Sequence, residues 1–175
     1  MVKEELAKGI RQDSILLGLN FGNSRNEFYG RCFDLNKQKM VSQGPDNSSV
    51  QYIWTDSLVH EEPTEIRLLF YPGFDDYDKI SSMDMEFSYL AWAPWNAELQ
   101  SDSLILKVKE LLLMWYKGND FVIAKDGELE FPVKVDANRR VLILPKDAQT
   151  IKVLVHDILH PNFMHSVTKE NAKHK

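Results

Sequence analysis

The sequence predicts an α+β fold of two similar halves, each one helix packed on an antiparallel three- to four-stranded meander. Three observations predict it. Short runs of alternating apolar and polar residues recur along the chain, the period of half-buried strands. Two longer stretches space their apolar residues at three and four, the period of an amphipathic helix. Those two stretches are separated by several strand patterns in succession, which favours helices on an antiparallel sheet over a doubly wound parallel sheet. The halves run roughly over residues 13–90 and 101–159, and the aperiodic stretch 160–175 is expected to fray.

The lead-in Met1–Gln12 is charged and lacks the continuous apolar core of an export signal; it reads as a short helix or an ordered entry. Ser14–Phe21 alternates, with Ile15, Leu17, Leu19 and Phe21 on one side, and reads as one strand. Gly22-Asn23 breaks it. Ser24 with Glu27 three residues on forms a capping box, and Phe28, Cys32 and Leu35 follow as the stripe of a helix ending near Gln38–Met40. The turn-rich Gln43–Asn47 separates this helix from three strands, Val50–Thr55, Glu65–Tyr71 and Met83–Tyr89. In the last of these, Met83, Met85, Phe87 and Tyr89 alternate without a fault against Asp84, Glu86 and Ser88.

A second helix covers about Asp102–Lys117, striped by Leu104, Val108, Leu111 and Trp115. Ile105 and Leu112 widen that stripe enough to predict burial on more than one side, and Gly118 stands where a C′ glycine belongs. Phe121–Ala124, Phe131–Asp136, Arg140–Leu144 and Ile151–Asp157 complete the pattern. Asp136-Ala137-Asn138-Arg139 reads as a tight turn, because Asp and Asn tolerate left-handed backbone.

At 175 residues and 20.3 kDa the chain fits one domain over residues 1–159, large enough to bury a core without staples. One cysteine excludes a disulfide framework and any zinc site built on several thiolates. No apolar run reaches the roughly 20 residues that span a bilayer, so a soluble chain without a transmembrane segment is expected. The composition suits the cytosol and equally an envelope protein whose leader has been removed.

The net charge of −5 argues against nucleic acid as a partner, and its distribution is more telling. Residues 1–100 carry 9 basic and 16 acidic side chains, a net −7, whereas residues 101–175 carry 12 and 10, a net +2. Residues 56–86 alone hold nine acids, including Asp56, Glu61, Glu62 and Glu65, against Arg67 and Lys79. This reads as an acidic face, either a solubilising surface or one suited to a basic partner.

Few residues point to chemistry. Cys32 lies on an apolar helical stripe, where a thiol is packing rather than a nucleophile. His156-x-x-x-His160 has the spacing of two ligands on a helix, with His165 and His174 beyond, but Pro161 makes helical geometry there doubtful. Asp75, Asp76 and Asp78 put three carboxylates in four positions without the spacing or glycine of a calcium loop. No nucleophile elbow, phosphate-cradling loop or dinucleotide fingerprint occurs, and no cofactor is expected. The aromatic connector is the most suggestive feature. Trp92 and Trp95 flank Pro94 and present large rigid surfaces suited to stacking on a sugar or docking a peptide, unless they plug the junction between the halves.

The segments Leu17–Lys37, Ser88–Asn96 and Lys134–Leu144 together resemble a family of small proteins from gut Bacteroidetes, over most of residues 13–158. That resemblance implies no catalytic residues. Phe21-Gly22-Asn23-Ser24 through Glu27-Phe28 is similar to the glycine-then-capped-helix entry of small α+β envelope modules, such as outer-membrane assembly lipoproteins and tandem β-lactamase inhibitor proteins, with Asn23-Ser24 in place of their Met-Thr or Met-Ser. It implies a protein-binding role. The expectation is therefore a non-catalytic binding module for a protein or saccharide, with Trp92 and Trp95 as anchors and Asp75, Asp76 and Asp78 as an acidic rim. The alternative is a hydrolase using Asp, Glu or His in a cleft between the halves.

Overall fold

The computed structural model describes residues 2–56, 64–161 and 163. Glu61, Glu62, His165 and His174 lie outside them. A short helix α1 (Val2–Ala7) precedes a small hairpin of β1 (Ser14–Leu16) and β2 (Leu19–Asn20). Helix α2 (Arg25–Lys37) then leads into β3 (Val41–Gln43), β4 (Val50–Asp56), β5 (Thr64–Phe74) and β6 (Ile80–Tyr89). A 3₁₀ turn at Ala97–Leu99 opens helix α3 (Ser101–Trp115), followed by β7 (Val122–Asp126), β8 (Leu129–Asp136), β9 (Arg139–Pro145) and β10 (Thr150–Asp157). Strands β3 to β10 form one antiparallel sheet in the order β3-β4-β5-β6-β10-β9-β8-β7. The fold is thus mixed α+β and mostly sheet, and among the described residues no helix is long and apolar enough to cross a membrane.

The expected alternation decides which sheet face meets the helices. Met83, Met85 and Phe87 of β6 pair with Val155, Val153 and Ile151 of β10, and all six are buried. Ile66, Leu68 and Phe70 of β5 extend this layer on one side, Val141 and Ile143 of β9 on the other. Leu104, Val108, Leu111 and Leu112 of α3 and Phe28 of α2 close over it in a single core. Truncating any of these leucines to alanine would cost about 2–5 kcal/mol. The capping box is formed: Ser24 Oγ accepts from Glu27 N, and Glu27 Oε2 accepts from Ser24 N at 2.6 Å.

Several expectations are corrected. Ser14–Phe21 is not one strand but a hairpin, because Leu17 and Gly18 take left-handed backbone (φ 50° and 82°) and reverse the chain. Strand β5 runs three residues past Tyr71, through Pro72; β4 pairs only as far as Phe70, so the missing proline N–H faces no neighbour. Helix α3 leaves Leu106 and Met114 exposed, so it is covered on one side only. Its cap is Tyr116, and Gly118 is needed for another reason: a Cβ there would lie 2.5 Å from Asp136 Oδ1. In the β8–β9 turn the left-handed residue is Ala137 (φ 53°). Asn138 is buried and used elsewhere, accepting from Gln12 N at 2.6 Å and donating to Asp157 Oδ1 at 3.0 Å.

Candidate functional site

Both long helices cover the same sheet face, so among the described residues neither covers the other face of the central strands. Its residues are the outward members of each alternation. Across β9 and β10, Leu142 stands opposite Leu154 and Arg140 opposite His156; His156 in turn faces Ser82 on β6. Leu144 and Phe131 continue the apolar floor toward the β7–β8 hairpin, whose Asp126 and Leu129 rise at the far end. The result is a groove of about 560 Å³ with a leucine-rich floor and polar ends.

The near end is shaped by the chain after β10. His160 Nε2 donates to Asp75 Oδ2 at 2.9 Å, and Phe163 lies tilted against His156 (5.9 Å between ring centroids) and under the Arg140 guanidinium (4.2 Å). The first residues of the stretch expected to fray are therefore packed against the sheet. An Arg140 Nη2–His156 Nδ1 contact of 3.4 Å joins the two strands. Arginine only donates, so Nδ1 is the acceptor and Nε2 carries the proton. Burial, aided by the Arg140 charge, pushes His156 down to about 4, so the ring is neutral at physiological pH. The groove offers an apolar floor, the Arg140 guanidinium, a neutral imidazole and the carboxylates of Asp126 and Asp157.

The expected site residues fall elsewhere. Trp95 is 86% exposed, whereas Trp92 is half-buried against the core and its Nε1 donates to Gln100 Oε1 at 3.3 Å. Asp75 organises its own loop, accepting from Tyr77 N (2.9 Å) and Lys79 N (2.8 Å) besides His160. Asp78, in left-handed backbone, pairs with Arg25 at 2.8 Å, and Asp76 is exposed. The tryptophan connector and the aspartate loop flank opposite ends of β6, whose ten residues span about 30 Å. They do not line one compact site.

The acidic face is also not a uniform one. Asp84 pairs with Lys152 at 2.9 Å and Glu86 with Lys146 at 2.7 Å, so the more basic second half neutralises it across the β6–β10 seam. Burial raises the Cys32 thiol to about 11, which keeps it protonated and unreactive. His156 sits on β10 and His160 beyond its end, not on one helix face. Among the described residues no three His, Cys, Asp or Glu side chains are grouped to hold a metal.

The sequence placed Phe131, Arg140, Leu142, Leu144, Leu154 and His156 within predicted strands, and Ser82, Asp126, Leu129, His160 and Phe163 outside them. It held no signal that β10 would pair with β6, and only that pairing sets Ser82, His156, Arg140 and the leucines side by side. Comparison with protein families, curated proteins and solved structures finds no match to the chain.

Proposed function

We propose that the chain is a non-catalytic binding module whose ligand lies in the groove on the open sheet face. The observation that carries this reading is the leucine floor of Leu142, Leu144 and Leu154, left uncovered by both helices and bounded by charged ends. Apolar pockets with a few placed polar groups are the usual form of a ligand site. The strand order supports a build from two similar halves: a helix followed by a four-stranded meander occurs twice, α2 with β3–β6 and α3 with β7–β10, meeting at β6 and β10. The resemblance of Phe21–Phe28 to envelope binding modules agrees with a role in recognition.

The test is resonance mapping with a panel of short peptides and oligosaccharides. The groove reading expects shifts clustered at Leu142, Leu144 and Leu154, lost in a folded Leu154→Glu variant. Turnover of ester, peptide or glycoside substrates would instead support the hydrolase.

A second reading rests on Trp95, whose exposure leaves nearly the whole indole open to a partner. A saccharide stacking there would shift the connector and leave the groove unchanged.

A further inference from the structure

The large sheet ends on two unlike edges. Strand β3 is three residues long and presents Ser42 and Gln43 after Val41, a short polar edge of the kind that discourages pairing. Strand β7, at the other end, runs for five residues, pairs with β8 without a bulge, and contains no glycine or proline. Among the described residues no backbone hydrogen bond reaches its outer side. Val122 (43% exposed) and Ile123 (58% exposed) lie on opposite faces of this open edge. We propose that β7 is an interface between two copies of the chain, which join β7 to β7 antiparallel about a two-fold axis and continue the sheet.

The strand's self-complementarity argues for a second copy as the occupant. A two-fold axis perpendicular to the sheet keeps the helices of both copies on one side and makes one residue of β7 face its own copy. Axes at Val122 or Asp126 pair a single residue of the strand. An axis at Lys125 sets two ammonium groups opposite each other, and one at Ala124 sets Val122 and Ile123 against Asp126 and Lys125. An axis at Ile123 instead sets Ile123 against itself and Val122 against Ala124 on either side of it. Within each copy Val133 stands between Val122 and Leu142, and Ala124 is paired with Phe131. The apolar row Leu142, Val133, Val122 of one copy therefore runs on into Ala124 and Phe131 of the other, twice by symmetry. Lys125 keeps its pair with Glu130 of its own chain. The mismatch is at the ends, where Asp126 comes opposite Asp120 of the other copy. Both strands are short, so the dimer should dissociate on dilution rather than be permanent.

The experiment is sedimentation equilibrium of the full chain over a wide concentration range. The mass is expected to rise from 20.3 kDa toward twice that value. Ile123→Lys, at an exposed position, sets ammonium groups opposite each other and should weaken association at least about tenfold. Asp120→Lys turns the like-charge contacts at the ends into opposite pairs and should tighten it severalfold. In a Cys32→Ala background, Ile123→Cys should oxidise to a disulfide-linked dimer, because directly opposed Cα atoms lie roughly 4.5–5.5 Å apart, within the span of a disulfide. Ala124→Cys, whose own copy lies two residues along the seam, should not. A monomer at every concentration overturns the proposal, as does a dimer that Ile123→Lys leaves intact. Cross-linking through Ala124→Cys in place of Ile123→Cys overturns the Ile123 axis and with it the continuous apolar row.

Discussion

Lys152 Nζ lies 2.9 Å from Asp84 Oδ2, a diagonal pair across the β6–β10 seam that joins the acidic segment of the chain to its more basic second half. With Lys146 on Glu86 it turns the expected acidic face into a locally balanced one. Both members are substantially exposed, so the pair contributes at most about 1 kcal/mol. Lys152→Glu sets a carboxylate beside both Asp84 and Glu86 and should destabilise the protein by about 1 kcal/mol. The double variant Asp84→Lys/Lys152→Glu should recover most of that loss in denaturant melts.

His156 ties stability to pH. Its folded value of about 4 lies below the ordinary 6.5, because burial and the nearby Arg140 and Lys152 oppose protonation more than Asp84 favours it. The unfolded chain therefore binds this proton more readily. The contribution is complete above pH 6.5 and is lost as pH falls from there toward 4. Between pH 6.5 and 4.5 about 2 kcal/mol should disappear, a fall of roughly 4–8 °C in melting temperature, and His156→Gln should flatten that limb.

Gly118 and Gly127 make a matched pair for substitution. Both have positive φ, but a Cβ at Gly118 meets Asp136 Oδ1 at 2.5 Å and one at Gly127 meets nothing within 4 Å. Asp136 cannot retreat without losing the Asn119 N–H it accepts at 2.8 Å. Gly127→Ala should cost about 1 kcal/mol, and Gly118→Ala about 2–3 kcal/mol, by chemical denaturation.

Lys134 is fully buried, and its ammonium donates to Tyr116 O (2.5 Å) and Asn119 O (2.7 Å) while pairing with Asp136 Oδ2 at 3.1 Å. It thereby binds the carbonyl of the α3 cap and one in the loop that follows it. Lys134→Met would leave Asp136 with only the Asn119 N–H and Arg139 at 3.6 Å, would leave two buried carbonyls without this donor, and should lower stability by about 2–4 kcal/mol in denaturant melts.

The two tryptophans of the connector should behave differently. Trp95→Ala is expected to change stability by less than about 0.5 kcal/mol, since the side chain is nearly free of contacts. Trp92→Ala removes a half-buried ring and its hydrogen bond to Gln100 and should cost about 2–3 kcal/mol. Only a Trp95 variant can therefore report on partner binding without confounding by unfolding.

Much of the fold was legible because it is written in local patterns. Ser24 and Glu27 lie three residues apart and cap a helix whatever surrounds it. Met83–Tyr89 presents one apolar side whatever it pairs with, and the stripe of α3 follows from spacing alone. The errors came where backbone conformation depends on contacts. Leu17 takes a left-handed turn in a run that alternates like a strand, with Arg31 Nε donating to its carbonyl at 2.7 Å. Gly118 resembled a helix cap because nothing nearby in the chain announces Asp136.

The candidate site was less legible than the fold. Arg140 and His156 read singly as residues of two separate predicted strands, and Ser82 reads as part of the loop before a third. Local spacing was enough for the two long helices, most strands of the large sheet, the buried sides of β5, β6 and β10, and the uneven charge. The meeting of β6 and β10, the pairing of Lys146 and Lys152 with the acidic segment, and the groove on the face away from the long helices all depend on contacts between distant segments. Periodicity and capping are properties of neighbouring residues, whereas strand order and charge pairing depend on which distant segments bury their apolar sides together.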